Sequence, residues 1–207
     1  MTAQFLVVDS CSYLRLAAHV HPNFWGGHPE YELRGIVETN PEVAGKRLLT
    51  KFVWPNRDPH PGLRNKWLLP ITKTQRKAID AAQEFLLDHS EAVLEDLMAH
   101  RRKQNYVGED LPFLSPVDLT VLGTAYHFQY GILTDERALT LVANSLSLPT
   151  MSSLQMLGYF HSKNFIDAAK VDAVILRWHA QDDLPRYGWA ADFKKVFKRE
   201  PPPLPPK

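Results

Sequence analysis

Two aspartates in this sequence directly follow short apolar runs, and their positions suit a metal site. The run at residues 5–8 (FLVV) predicts a buried strand, and Asp9 comes immediately after it. A second short apolar run, at residues 131–133, is followed by Thr134, Asp135 and Glu136. Ligands bind at the carboxyl ends of the strands in open parallel sheets, so we expect Asp9 and Asp135 to converge. Carboxylate oxygens are the ligands that Mg²⁺ and Mn²⁺ prefer.

A third carboxylate, Asp118, is predicted to lie in the first turn of a helix. Ser115 suits the N-cap, Pro116 suits the first helical position, and Asp118 comes three residues after the cap. The same spacing fits a capping box in which Asp118 serves only its own helix. Asp135 could likewise be a simple cap of the following helix, so the metal-site and capping interpretations both remain open.

These segments resemble the PIN-domain nucleases. FLVVDSCSYL is similar to the opening strand of that family, and LSPVDLTVLGTAYHFQYGILTDERALTLVA is similar to its later helix–strand–helix segment with the last acids. The resemblance implies an α/β fold of three layers, α/β/α, around a central parallel sheet. It also implies RNA hydrolysis that depends on Mg²⁺ or Mn²⁺. Many members are toxins of toxin–antitoxin pairs, so an antitoxin protein is an implied partner.

The resemblance also implies a set of site residues. Asp9, Asp118 and Asp135 would be catalytic and would hold the metal, directly or through water. Glu136 is a further metal candidate, although the family more usually has a second aspartate there. The neighbouring hydroxyls of Ser10 and Thr134 are candidates to hydrogen-bond the acids or bound water.

The family's remaining acid is a glutamate early in the helix after the second strand. Residues 31–37 predict that strand, and a helix is predicted to open soon after it. Glu42 fits the position best and is therefore assigned a catalytic and metal-binding role, with Glu38 as the alternative. Either glutamate could instead simply favour the positive end of the helix.

Composition limits the class of protein. With 207 residues, of which 44% are hydrophobic, we expect one domain over residues 1–199 and a proline-rich, extended and disordered tail over 200–207. The formal net charge of +1 means that RNA would be held by local basic patches. The single cysteine, Cys11, allows no disulfide within the chain. No signal peptide or run of ~18 apolar residues is visible, which predicts a cytoplasmic protein without a membrane span.

Residues 53–110 exceed what a minimal PIN domain needs. A stretch rich in proline is followed by a helix predicted from about Gln75 to Leu87, capped by Thr72 or Thr74, and by another that starts at Ser90. We expect this helical elaboration to cover one side of the sheet as a cap, a homodimer surface or a partner surface.

The segment after Glu136 is predicted to be mainly helical. Helices are expected over 137–146, 152–161 and 164–178, with a short edge strand near 148–150. Ser152 and Gln155 match a capping box, and Asn164 and Asp167 form a looser version of that pattern.

Three functions fit these patterns. The first is a metal-dependent endoribonuclease, with the toxin of a toxin–antitoxin pair as its expected biological form. The alternative is a catalytically inactive PIN-like domain that binds RNA or a protein partner. A doubly wound phospho-acceptor domain also gathers aspartates at strand ends, but the sequence offers no suitably placed lysine after a late strand.

Overall fold

Four short parallel strands form the centre of the structure, a computed structural model that describes residues 3–17, 28–39, 68–103, 113–185 and 188–206. The order in the sheet is β2-β1-β3-β4, and every neighbouring pair is parallel. The strands are β1 (Gln4–Val8), β2 (Tyr31–Arg34), β3 (Gly131–Leu133) and β4 (Thr150–Met151). Their carboxyl ends therefore meet at one edge of the sheet.

Seven α-helices are present in the described ranges, and none of them is both long enough and apolar enough to cross a membrane. A 3-10 turn, Val37–Thr39, follows β2. The helices are α1 (Ser10–Ala17), α2 (Lys73–Lys103), α3 (Pro116–Phe128), α4 (Arg137–Ser145), α5 (Ser153–Ser162), α6 (Ala168–Ala180) and α7 (Trp189–Phe197).

Helices cover both faces of the sheet. Successive side chains of a strand point to opposite faces, and β1 shows this clearly. Leu6 and Val8 belong to a core with buried residues of α5, α6 and α7, whereas Val7 belongs to a second core with α2, α3 and α4. The chain is therefore an α/β protein with an all-parallel sheet between two helical layers, as a three-layer arrangement requires.

The helix α2 corrects the prediction of two helices in the region of residues 75–103. It runs without a break from Lys73 to Lys103, because the hydroxyl of Ser90 donates to the carbonyl of Leu87 (2.7 Å) instead of capping a new helix. At its start, Thr72 and Gln75 bond each other reciprocally, which confirms Thr72 as the cap. The preceding residues 53–67 lie outside the described ranges.

The start of α6 also differs from the prediction. The helix begins at Ala168, and Asp167 is its N-cap, with its side chain accepting from the Lys170 N–H at 2.7 Å. Asn164 takes a left-handed conformation (φ 60°) after α5, so it ends one helix and does not begin the next. The capping box of Ser152 and Gln155 is confirmed.

The proline-rich tail packs against the domain. Residues 200–206 contain no helix or strand, as the prediction of an extended segment requires. The prediction of disorder does not hold for them, because Leu204 packs on the core beside α6. In addition, the His179 ring nitrogen Nε2 lies 2.9 Å from the carbonyl oxygen of Pro205.

Gly131, the first residue of β3, sits in a place where a side chain has no room. A Cβ there would lie 2.5 Å from Leu6 Cδ2 and 3.0 Å from the Pro149 carbonyl oxygen. We expect Gly131→Ala to lower the free energy of unfolding, measured in urea, by about 1–3 kcal/mol. The control is Gly123→Ala in α3, where the nearest atom is 3.3 Å away and the gain in helix propensity, about 1 kcal/mol, offsets the crowding. Equal stability of the two variants would contradict this account.

Candidate metal site

Asp9 is fixed at the junction of β1 and α1. Its N–H donates to the Leu133 carbonyl (3.1 Å), which continues the pairing of β1 with β3. Its carboxylate oxygen Oδ1 accepts from the Ser12 N–H at 2.6 Å, and its carbonyl accepts from the Tyr13 N–H. A short polar residue after the strand thus serves as the N-cap of α1. The backbone of two elements therefore sets the position of this carboxylate.

The second oxygen of Asp9 is held by Thr134. The Thr134 hydroxyl donates to Asp9 Oδ2, and the same hydroxyl oxygen accepts from the Glu136 N–H at 3.0 Å. This confirms the prediction that Thr134 hydrogen-bonds one of the acids. The loop after β3 therefore orients the carboxylate that follows β1.

Burial changes the acidity of Asp9, which is 3% exposed. Loss of solvation, together with the negative charge of Asp135, raises the pKa of Asp9 to about 7 against the lowering effect of the hydrogen bonds from Thr134 and Ser12. Among the described residues, Asp9 forms no ion pair. Asp9 is thus a buried carboxylate at the sheet edge that no lysine or arginine of the described ranges neutralises.

Asp135 follows β3 and lies in the same place. Its Oδ1 accepts from the Ser153 N–H at 2.9 Å, at the positive N-terminal end of α5. Its Oδ2 accepts from Arg15 Nη1 and, at 3.4 Å, from the Ser12 hydroxyl. Ser12 therefore contacts both acids, with its N–H on Asp9 and its hydroxyl on Asp135. The predicted convergence of these two aspartates is present in the structure.

Asp118 forms the capping box of α3. Its Oδ2 accepts from the N–H and the hydroxyl of Ser115, at 3.0 and 2.8 Å, and its own N–H donates to the Ser115 hydroxyl oxygen at 3.1 Å. The capping interpretation of the sequence is confirmed for this residue.

The predicted glutamates have different positions. Glu136 is exposed at the N-cap position of α4 and makes no side-chain capping bond. Glu42 lies outside the described residues. Its alternative, Glu38, is in the 3-10 turn and pairs with Arg76 at 2.6 Å, while its other oxygen is buried without a hydrogen-bond partner among the described residues. Within the described part of the chain, no three His, Cys, Asp or Glu side chains are grouped closely enough to hold one metal ion.

The sequence analysis missed two residues of this site, Arg15 and Asp183. Arg15 Nη1 contacts Asp135, and Arg15 Nη2 contacts Asp183 Oδ1 at 2.6 Å. Burial alone would lower the pKa of Arg15, but the hydrogen bonds and charges of Asp183 and Asp135 raise it above its ordinary value, so the guanidinium stays charged. The 168 positions between Arg15 and Asp183 leave no local pattern that could have predicted the pair.

Trp178 of α6 contacts Arg15 in two ways. The indole Nε1–H donates to the Arg15 carbonyl at 3.1 Å, and the guanidinium carbon lies 5.9 Å from the centroid of the ring. This distance is within the range of a cation–π contact. The core of α6 therefore holds α1, and with it Asp9 and Arg15, in place at the sheet edge.

The donors at this edge suit a hard divalent cation. Asp9 and Asp135 provide carboxylate oxygens, and the hydroxyls of Ser12 and Thr134 orient them. Mg²⁺ in proteins commonly keeps several waters and binds through one or two carboxylates. The pair Asp9 and Asp135 matches that number of carboxylates.

Comparisons with protein-family models, with curated proteins and with solved structures give no match for this chain. The resemblance to PIN-domain nucleases therefore rests on the sequence motifs alone.

Proposed function

We propose that this chain is a PIN-like endoribonuclease that hydrolyses RNA phosphodiester bonds with Mg²⁺ or Mn²⁺ at the carboxyl edge of its sheet. The observation that carries the proposal is the meeting of Asp9 and Asp135 around Ser12, with Asp9 buried and in no ion pair with any of the described residues. In this proposal the protein acts in the cytoplasm as the toxin of a toxin–antitoxin pair, with an antitoxin as the restraining partner.

The chain's own residues have defined tasks in this reaction. A bound metal ion supplies a water of lowered pKa and neutralises negative charge that develops on the phosphate. Asp9 and Asp135 would hold the ion, and Asp118, Glu136 and Glu42 are the further candidates. Thr134 and Ser12 fix the orientation of the carboxylates, so little reorganisation is needed during the reaction. Burial of Asp9 keeps water from competing for its oxygens.

A second function is favoured by one specific observation. Asp135 is already neutralised by Arg15, and Asp118 is already bonded to Ser115. Side chains that are satisfied in this way are what a catalytically inactive PIN-like domain, binding RNA or a protein partner, would show. The two proposals differ in whether the protein binds metal and cleaves RNA.

The experiment is Mn²⁺ calorimetry on the wild-type protein and on Asp9→Asn and Asp118→Asn, with an RNA cleavage assay in parallel. The control is Asp167→Asn, because Asp167 caps α6 and has no part in the site. Asparagine also caps well, so this control should change stability by less than about 1 kcal/mol and leave metal binding intact. We expect Asp9→Asn to abolish both binding and cleavage, whereas Asp118→Asn tests whether this capping residue adds a ligand to Asp9 and Asp135.

Each alternative outcome has a defined meaning. If Asp118→Asn behaves like the Asp167→Asn control, Asp118 is a cap and not a metal ligand. If the wild-type protein binds Mn²⁺ without cleaving RNA, the binding-domain proposal replaces the nuclease. If neither the wild-type protein nor any variant binds Mn²⁺, the metal-dependent function is wrong.

A further inference from the structure

We propose that Arg15 is an internal counter-ion of the metal site. In the metal-free protein its guanidinium neutralises Asp135, and on metal binding it leaves Asp135 and is held by Asp183 alone. This inference rests on the proposed function and adds to it a specific regulation of metal affinity by two residues outside the predicted ligand set.

Arg15 forms two ion pairs through two different nitrogen atoms. The Arg15 side chain is 11% exposed and that of Asp135 is 8% exposed, so both charges are largely removed from solvent. Arg15 uses a different nitrogen for each partner, Nη1 for Asp135 and Nη2 for Asp183. One contact can therefore be broken while the other is kept.

A metal ion and the Arg15 guanidinium would compete for the same carboxylate, that of Asp135. A metal ion at Asp135 would place a second positive charge beside the guanidinium in a poorly solvated region, where like charges repel strongly. Metal binding must then displace Arg15 Nη1 from Asp135 Oδ2. The cost of that displacement lowers the metal affinity relative to a protein in which Asp135 is free.

Asp183 keeps the guanidinium paired when Asp135 is occupied. Leaving a buried guanidinium without any partner would be strongly destabilising. Asp183 lies just beyond the end of α6, where its N–H is fixed by the Trp178 carbonyl at 2.8 Å, and its side chain is 35% exposed. It therefore offers Arg15 a charge partner that the metal does not occupy. Arg15 Nε is buried without a hydrogen-bond partner among the described residues, so the present position does not satisfy the whole guanidinium.

The test is Mn²⁺ calorimetry and metal-free thermal unfolding on the full chain, using Arg15→Met, Asp183→Asn and the double variant. Arg15→Met should bind Mn²⁺ on the order of tenfold more tightly and melt at a lower temperature without metal, because Asp135 loses its partner. Asp183→Asn should weaken Mn²⁺ binding on the order of tenfold, because the displaced guanidinium then has no partner. In the Arg15→Met background, Asp183→Asn should have no effect on affinity.

The control is Arg199→Met, which removes another Arg–Asp pair, with Asp172 at 2.6 Å, and should leave the Mn²⁺ affinity unchanged. Equal affinities of wild-type and Arg15→Met would overturn the counter-ion role while the metal-dependent function stands. Tighter binding by Asp183→Asn would overturn the role assigned to Asp183. Binding by Arg15→Met alone would support the inference, and absence of binding in every variant would refute it together with the proposed function. If Arg15→Met does not fold, the Mn²⁺ affinity of Asp183→Asn decides whether the inference stands.

Discussion

Asp9→Asn should make the metal-free protein more stable above pH 7, although the same change is expected to abolish Mn²⁺ binding. The folded protein binds a proton at Asp9 up to about pH 7, whereas the unfolded chain loses it near 3.8. Between these values the folded state binds more protons, so the stability of the wild-type protein falls as the pH rises. Asparagine cannot ionise, so the stability of Asp9→Asn does not fall with pH for this reason.

The difference between the two proteins isolates the contribution of Asp9. The free energy of unfolding of Asp9→Asn minus that of the wild-type protein should be constant below pH 4, grow as the pH rises to 7, and then level off. The gain should reach roughly 4 kcal/mol at most, and the altered hydrogen bond to Thr134 should reduce it. Urea unfolding from pH 4 to 8 without metal measures it. Added Mn²⁺ should reverse the order at pH 8, because only the wild-type protein gains stability from binding. A difference that is independent of pH would contradict the role of burial.

Trp178→Ala should produce the largest loss of stability among single truncations of the described core side chains. The Trp178 side chain is fully buried and is one of the largest in the core that joins α6 to the sheet. Truncating a buried tryptophan to alanine costs about 3–5 kcal/mol, because it removes packing and leaves a cavity. It also removes the bond to the Arg15 carbonyl.

Trp178→Phe is the matched variant, since it keeps an aromatic ring and removes the indole N–H. We expect it to cost about 1–2 kcal/mol, close to the value of a hydrogen bond and a small cavity. Chemical denaturation gives both values, and the slope of the transition should stay unchanged if unfolding remains cooperative. A loss below 1 kcal/mol for Trp178→Ala would show that this core does not hold α1 in place.

Features that depend on neighbouring residues were predictable from the sequence. The buried strand before Asp9 follows from four consecutive apolar residues. The start of α3 follows from Ser115, Pro116 and Asp118, whose reciprocal bonds need only a spacing of three. The meeting of Asp9 and Asp135 followed from the rule for parallel strands, with no contact known in advance.

Features that depend on distant residues were not predictable. The continuity of α2 was missed because Ser90 can either cap a helix or bond its own backbone, and burial by neighbouring elements favours the second. The ion pairs of Arg15 require the chain to bring α1 beside the end of α6. The contact of Leu204 with the core likewise depends on where α6 and α7 are placed.

The pairing of β1 with β3 has a consequence for synthesis of the protein. Asp9 and its partner Thr134 are separated by 125 positions. The carboxylate of Asp135 also needs the N–H of Ser153, which is synthesised later still. At typical translation rates, this interval takes roughly ten seconds. During that time β1 can pair with β2, but its other edge stays open, as in any nascent chain that waits for a late strand. A growing chain therefore has no assembled carboxylate pair, and any activity begins only when the sheet has closed around β1.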